Sequence, residues 1–317
     1  MLPFTTETLT LHLEELEARA LVMRGGLVVR WASLPIPKGV ITAGVVANPR
    51  VLADVLLELF KQVKPGKARP LVSLSGLHPV VRILSLPRLK RNLLAEAIQR
   101  EMTRELPSPI DHYHLSWKVL GASSTETRVY ALAVPAGQLD SYMSAFKRVR
   151  LSPKCITLEA FAVACALDSS DAIIIGMKDT GFSIVVLIDG IPATLRDFTY
   201  PRDNLSIVER VTDLGKELQL TMASSGLEKI DDPTKLPLPI YVVGKNADSD
   251  HLINYLDQEI GAPPSVFEPP PVYPTSFPGV EYAASLGLAL WRRRRSLKRP
   301  PIYPTSFPSV EYAACLG

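Results

Sequence analysis

Hydrophobic and polar positions follow the same order in two separate parts of the chain. In the first part, they predict strands at Leu9–Leu13, Ala18–Met23 and Leu27–Leu34, with Gly25-Gly26 as the turn before the third strand. A helix follows over about Pro49–Gln62. Its apolar face carries six residues at helical spacing: Val51, Leu52, Val55, Leu56, Leu59 and Phe60. The order is therefore strand, strand, glycine turn, strand, helix.

The same order returns in the second part of the chain. Strands are predicted at Ala172–Ile175, Phe182–Ile188 and Ile191–Phe198, with Asp189-Gly190 as the turn, and a helix follows over about Leu205–Met222. Two α/β halves of this kind are typical of actin-like proteins, whose halves are ribonuclease-H-like. Hairpin-plus-helix units are also common in other α/β proteins, so the duplication alone leaves the fold open.

An α+β block separates the two halves. It is predicted to contain strands near Pro70–Ser75 and Val80–Leu84, a hairpin of His114–Leu120 and Arg128–Val134, and a helix over about Ala136–Val149. A further helix lies before the hairpin. A run of apolar residues at helical spacing predicts it: Leu94, Ala97, Ile98, Met102 and Leu106.

The surroundings of this further helix carry a family resemblance. Asn92 is the expected cap, and Pro107 and Pro109 end the helix. A strand ending in Leu-Pro, a charged helix ending in Leu-Pro-x-Pro-Ile and a strand with a central Trp117 closely resemble the inserted domain of the PilM family. The PilM family comprises actin-like cytoplasmic proteins of type IV pilus assembly. A weaker resemblance extends from about Thr10 to Leu290.

The resemblance implies an actin-like α/β fold with an inserted α+β subdomain. Residues 1–70 would begin actin-like domain I, 71–150 would form the insert, 151–290 would complete domain I through a linker helix and supply domain II, and 291–317 would be a tail. It also implies a non-catalytic cytoplasmic scaffold, peripheral to the inner face of the membrane. The partner would be the cytosolic N-terminal segment of a bitopic pilus-assembly protein of the inner membrane.

Both phosphate loops depart from the pattern that active relatives carry. Those relatives place Asp-x-Gly after the first strand of each half, where the carboxylate serves magnesium and the backbone wraps the phosphates. Here His-Leu-Glu stands at 12–14, and Gly-Met-Lys stands at 176–178. We therefore expect neither ATP hydrolysis nor a bound cofactor. The alternative is an actin-like ATP-binding protein or ATPase of the pilus or competence machinery, with ATP and magnesium as its cofactors.

Five residues are the candidates for contact with a nucleotide if one binds. Glu14 lies in the first loop, and a shift of one residue in the second loop would recruit Asp179, Thr180 and Gly181. Gly244 follows the predicted strand 240–243, where the family has a glycine-rich turn against adenine. The expected state of Glu14 and Asp179 is that of solvated loop residues.

In the PilM family, an extended segment of the membrane partner docks between the first large domain and the inserted domain. The resemblance implies groove walls near Leu71–Leu86 and the helix Asn92–Glu105, with Arg100 and Arg104 as partner-binding residues. The alternative is that both arginines form an ordinary solvated helix face.

Composition supports a cytoplasmic protein without a metal site. The 317 residues are 47% hydrophobic and 21% charged, and the start of the chain lacks the pattern of a secretory signal. The cysteines lack metal-binding spacing and suit a reducing compartment, with Cys155 and Cys165 expected in the core. A zinc site at Asp111, His112 and His114 is disfavoured because no second ligand cluster follows.

Charge is concentrated after Trp291. That tail has six cations and one acid, and because the formal net charge of the chain is +3, the preceding residues carry −2. A general nucleic-acid-binding surface is therefore not expected, whereas 292–299 could contact anionic lipid. The segment 271–287 recurs as 301–317 with three differences. Its first copy is expected to form the closing helix of the second large domain.

Overall fold

Two five-stranded sheets form the frame of the protein. The computed structural model describes residues 7–167, 169–202, 205–225, 238–259, 263–268 and 274–291. In chain order the elements are β1 (Glu7–Leu13), β2 (Glu17–Arg24), β3 (Leu27–Pro35), β4 (Ile41–Thr42), β5 (Val45–Val46), α1 (Pro49–Val63), β6 (Leu71–Leu74), β7 (Val80–Pro87), α2 (Arg91–Glu105), β8 (Tyr113–Ala122), β9 (Glu126–Pro135), α3 (Ala136–Arg148), β10 (Cys155–Leu158), α4 (Glu159–Ala164), β11 (Ala172–Met177), β12 (Gly181–Ile188), β13 (Ile191–Thr199), α5 (Ile207–Ser224), β14 (Ile240–Gly244), α6 (Asp250–Glu259), β15 (Ser265–Val266) and α7 (Ala283–Trp291).

The first sheet has the order β10-β6-β1-β2-β3, in which β1, β6 and β10 run parallel. Successive side chains of a strand point to opposite faces, so Leu9, Leu11 and Leu13 pack under α1 and α3. Asn48 caps α1 by accepting a hydrogen bond from the backbone N–H of Val51. Thr10 and His12 consequently lie on the opposite face, toward the second sheet.

The second sheet repeats this plan with the order β13-β12-β11-β14-β15. Its outer face packs against α5 and α6 in a separate core that includes Ile173, Ile175 and Leu218. A capping box at Ser206 and Glu209 begins α5, because each side chain satisfies the backbone N–H of the other residue. The two strand, strand, turn, strand, helix units predicted from the sequence are both present.

Helices α4 and α7 lie between the two sheets and join them. Their apolar residues share one core with the inner faces of both sheets. Gly287 allows the helices to cross closely, because a Cβ at this position would overlap the carbonyl oxygen of Ala162. The expectation that the closing helix belongs to the second large domain is corrected here, since α7 packs along β1, β2 and β6 of the first sheet.

The inserted subdomain is smaller than the sequence predicted. Strand β6 belongs to the first sheet, and α3 packs against α1, so the insert comprises about 80–135 rather than 71–150. Its three strands have the order β7-β9-β8. Residues 129, 131 and 133 of β9 pack against α2, whereas residues 130, 132 and 134 pack against the first domain. Asn92 is not the cap of α2, since the helix begins at Arg91 after Lys90.

Some predictions fall outside the part of the chain that the structure describes. The cationic segment 292–299, the second copy of the duplicated segment and the first residues of its first copy are among them. Within the described residues, none of the helices combines the length and the apolar character that a membrane crossing requires.

Candidate functional site

The loops that follow β1 and β11 face each other across the cleft between the two sheets. Glu159, the first residue of α4, lies between them. Its Oε1 is 3.6 Å from Nε2 of His12, and its Oε2 is 2.9 Å from Nζ of Lys178. The two loops expected to wrap phosphates are therefore joined through a single carboxylate of the chain itself.

Lys178 is the cation at the centre of this junction. Its Nζ also donates to Oδ1 of Asp197 on β13 at 3.0 Å, and only 9% of its side chain is exposed. Burial alone would lower the pKa of Lys178, but the carboxylates of Glu159 and Asp197 outweigh burial and hold this pKa above its usual range. The ammonium group is therefore charged at neutral pH, and it connects α4 with the second sheet.

His12 supplies a second buried cation. Its Nδ1 lies 2.8 Å from Oγ of Ser73, and its Nε2 lies 3.2 Å from Oε1 of Glu14. Burial would lower the pKa of His12, but Glu14 and Glu159 raise it to about 9. Both ring nitrogens consequently carry protons at neutral pH and donate to these partners.

Arg19 extends the cluster along the first sheet. It is buried on β2, donates to Glu14, and places Nη2 2.6 Å from Oε2 of Glu17. The same nitrogen lies 3.8 Å from Oε2 of Glu281, just before α7. Burial would raise the pKa of Glu14, but Arg19 and His12 lower it below its usual value. The prediction that Glu14 is a solvated loop residue is therefore wrong.

The other residues proposed for nucleotide contact lie along the same edge of the second sheet. Asp179 accepts a hydrogen bond from Nζ of Lys245 at 2.8 Å. Gly244 has a φ of +90° and lies so close to Met177 that a Cβ would overlap its carbonyl oxygen. The turn at Gly244 therefore packs directly against β11. The carbonyl of Thr180 accepts a hydrogen bond from the backbone N–H of Tyr200, and Gly181 pairs with Thr199 at the end of β13.

These charged side chains form one cluster between the two halves, or lobes, of the protein, and we call it the interlobe network. The charge of this network does not fit a nucleotide. Three cations face five carboxylates, so the formal charge is negative: His12, Arg19 and Lys178 against Glu14, Glu17, Glu159, Asp197 and Glu281. A triphosphate would meet carboxylates already bonded to the chain's own cations, at the positions where phosphate-binding loops offer backbone N–H groups. The residues present at this site therefore do not fit ATP with magnesium.

Three members of the interlobe network have metal-ligand chemistry. One ligand atom from each of His12, Glu14 and Glu159 lies within 4.8 Å of the others. The same carboxylates bond to Arg19 and Lys178, and His12 is protonated, so a divalent cation would have to displace two cations and a proton. The donor set therefore does not fit a metal centre.

Sequence reasoning missed five members of the network: Glu17, Arg19, Glu159, Asp197 and Glu281. The one available signal was Glu159, the only charged residue within the apolar run 155–167. An acid in such a run is expected to be paired when the run is buried. Cys155 and Cys165 in this run are buried, and this prediction is confirmed.

The structure places the predicted partner-binding arginines away from the first domain. Arg100 and Arg104 lie on the exposed side of α2, and Arg104 donates to Oε1 of the neighbouring Glu101 at 2.9 Å. Because α2 covers the face of the inserted sheet that points away from the first domain, the helix is not a wall of the groove between these two units. The expectation that α2 forms a wall of the groove is therefore wrong. Partner binding by Arg100 and Arg104 stays a prediction.

A different surface forms an apolar cleft between the insert and the first domain. A small open volume lies among side chains of β8, β9, α3, β10 and α4. His114 is half-buried at this cleft, and its Nε2 lies 3.4 Å from Oδ1 of Asp140. The lining is otherwise almost entirely apolar: Leu77, Ser116, Leu132, Val134, Leu139, Ile156, Thr157, Leu158 and Phe161.

A family model described as type IV pilus assembly protein PilM matches residues 15–224. The chain belongs to this family. A comparison with curated proteins finds no match. The solved PilM-PilN type IV pilus biogenesis complex contains a chain similar to this one, with a TM-score of 0.73 and 21% identity over 90% of this chain and 98% of that chain. The predicted PilM family and actin-like fold class are thus confirmed.

Two further structures share the fold at lower similarity. The ethanolamine utilization protein EutJ from Carboxydothermus hydrogenoformans has a TM-score of 0.53 and 14% identity, covering 90% of this chain and 89% of that one. The cytoplasmic domain of EpsL, an inner membrane component of the type II secretion system of Vibrio cholerae, has a TM-score of 0.52 and 12% identity, covering 90% and 95%. These likenesses concern the fold alone.

The protonation of His12 predicts a pH dependence of stability. Folding raises the pKa of His12 from 6.5 to about 9. The contribution of His12 to the free energy of unfolding is therefore complete below pH 6.5 and is lost as the pH rises through 9. The stability difference between the unaltered chain and His12→Gln should therefore fall by up to about 3 kcal/mol between pH 6 and pH 9.5. Urea unfolding at several pH values measures this difference. A difference that does not change with pH would contradict a buried imidazolium.

Proposed function

We propose that this PilM-family protein is a non-catalytic cytoplasmic scaffold of type IV pilus assembly. Its partner is the cytosolic N-terminal segment of a single-span inner-membrane protein such as PilN. The apolar cleft between the insert and the first domain carries this proposal, because it is a preformed concave surface at a junction of two units. The similarity to a chain of the solved PilM-PilN complex supports the choice of partner.

The edge of the inserted sheet suits an extended segment. Strand β8 is an outer strand of that sheet, and no other strand in the described residues pairs with its free edge. Backbone N–H and C=O groups of such an edge can bond to an added strand, while alternate side chains enter a neighbouring pocket. His114 and Ser116 of β8 line the cleft, so pairing with β8 would place apolar side chains of the partner inside it.

The interlobe network supports a scaffold rather than an enzyme. In an actin-like ATPase the nucleotide and its metal contact both lobes, whereas here Glu159 and Lys178 already connect the two loops. The second candidate, an ATP-binding protein or ATPase, is favoured only by the actin-like architecture itself. If the protein is a scaffold, the arrangement of its two halves does not depend on a bound nucleotide.

Titration with magnesium-ATP separates the two candidates. We expect no binding heat at millimolar nucleotide and phosphate release at background, because the network is negatively charged and its side chains are already bonded. Isothermal titration calorimetry and a phosphate-release assay are the measurements. Micromolar affinity with magnesium-dependent turnover would establish the ATPase and reject the non-catalytic scaffold.

Filling the cleft should block the partner segment. Ser116 is buried on β8 beside the open volume, so Ser116→Leu should occupy this space and lower affinity for a synthetic N-terminal PilN peptide at least tenfold. The matched control is Thr103→Leu on the exposed side of α2. Fluorescence anisotropy measures binding, and equal melting temperatures show that both variants are folded.

The predicted role of the arginines is tested in the same assay. If Arg100 and Arg104 bind the partner, their joint reversal to Glu weakens the peptide complex while Ser116→Leu leaves it intact. If the cleft binds the partner, Ser116→Leu weakens the peptide complex and the joint reversal of the two arginines leaves it intact. A peptide that binds the unaltered chain and both variants equally well would exclude both surfaces.

A further inference from the structure

A strongly basic surface lies at the end of the first domain opposite the interlobe network. Because β1, β6 and β10 are parallel, their first residues meet at one edge of the first sheet. The loops that lead into β6 and β10 therefore lie together. These loops and the adjoining helix ends supply seven cations: Lys64, Lys67, Arg69, Lys147, Arg148, Arg150 and Lys154. We call this surface the basic edge.

Direct contacts hold the two loops side by side. Arg69 donates from Nε to the carbonyl of Ser152 at 3.1 Å and from Nη2 to the carbonyl of Pro153 at 3.0 Å. The backbone N–H of Lys154 donates to the carbonyl of Pro70 at 2.8 Å. The basic edge is therefore a fixed surface of the first domain.

The cations of the basic edge lack acidic partners within the described part of the chain. Neither 64–70 nor 147–154 contains an aspartate or glutamate. Six of the seven side chains are exposed, and no ion pair involves any of the seven. The nearby Glu7 is shared between Arg24 and Arg30, at 2.5 and 2.8 Å from their Nη2 atoms. The edge therefore keeps its full positive charge although residues 1–291 carry a net negative charge.

An exposed apolar side chain accompanies these cations. The β2–β3 hairpin ends at the same edge, because Arg24 pairs with Glu7 at the start of β1. Leu27, on this hairpin, is 58% exposed. An edge that exposes both cations and a leucine suits a membrane interface, where headgroups carry negative charge and apolar side chains enter the acyl boundary. The segments 64–70 and 147–154 contain no aromatic residue on which nucleic-acid bases could stack.

We propose that the basic edge docks the protein directly on an anionic membrane surface. This contact is separate from the binding of a partner segment in the apolar cleft and from the cationic segment 292–299. The network end of the first domain would then face the cytoplasm, about 20 Å from the membrane, since β1 spans seven residues. A partner emerging from the membrane would need roughly six extended residues to cover that distance.

Vesicle sedimentation of the full chain tests this docking. We compare vesicles containing phosphatidylserine and phosphatidylcholine with vesicles of phosphatidylcholine alone, at low and at physiological salt. The variant Lys67→Gln/Lys147→Gln/Arg148→Gln removes three charges without placing acids at the end of α3. It should lower the partition coefficient on anionic vesicles at least tenfold, since each cation near the surface contributes severalfold. The control Lys90→Gln/Arg100→Gln/Arg104→Gln makes the same change of charge on the insert and should bind like the unaltered chain.

A second measurement on the unaltered chain does not depend on any variant. Anionic vesicles should protect Lys64, Lys67 and Lys147 from acetylation, read by mass spectrometry, and should leave Lys90 reactive. Equal loss of vesicle binding in both variants, no loss in either, or unprotected lysines at the basic edge would overturn the proposal. So would binding to a duplex oligonucleotide without binding to anionic vesicles.

Discussion

The buried ammonium of Lys178 is the charged contact between the start of α4 and the second sheet, beside the apolar core that α4 and α7 share with both sheets. It bonds Glu159 at the start of α4 and Asp197 on β13, so one side chain links the first lobe to the second. Removing a charge from water is costly, and a buried ion pair offsets that cost only when each member keeps its partners. Lys178, Glu159 and Asp197 therefore stabilise one another, and their contacts hold the start of α4 against the second sheet.

The remaining architecture follows from which face each strand buries. The inner face of the first sheet carries His12 and Arg19 at the cleft, while its outer face packs under α1 and α3. In the insert, the alternation along β9 assigns α2 to one face and the first domain to the other. The apolar cleft lies on the second of these faces. The ion pairs of the interlobe network thus lie between the two sheets, and the apolar cleft proposed for the partner is a separate surface.

Sequence patterns predicted the elements well because the period of the apolar residues is a local property. The strands of both halves and the helix α1 are where alternation and helical spacing placed them. The interlobe network could not be read in this way. Its members His12, Glu159 and Lys178 are far apart in the sequence, and a charged residue near a strand end has the same pattern whether it is solvated or paired.

The errors have equally physical causes. The spacing of Leu94, Ile98 and Met102 shows that one side of α2 is buried, but it does not show which unit covers that side. The spacing alone therefore could not show that α2 covers the face of the inserted sheet that points away from the first domain. Likewise, β6 has the composition of any buried strand, and only its parallel pairing with β1 places it in the first sheet rather than in the insert.

A double-mutant cycle on Lys178 and Glu159 tests most directly whether the chain's own charges hold the lobes together. Lys178→Met removes the cation shared by two partly buried carboxylates, Glu159 and Asp197, and should lower the free energy of unfolding by up to about 3 kcal/mol. Adding Glu159→Gln removes one of them, so the double variant should lose at least 1 kcal/mol less than the sum of the single losses. Additive losses, or a Lys178→Met variant as stable as the unaltered chain, would contradict this account.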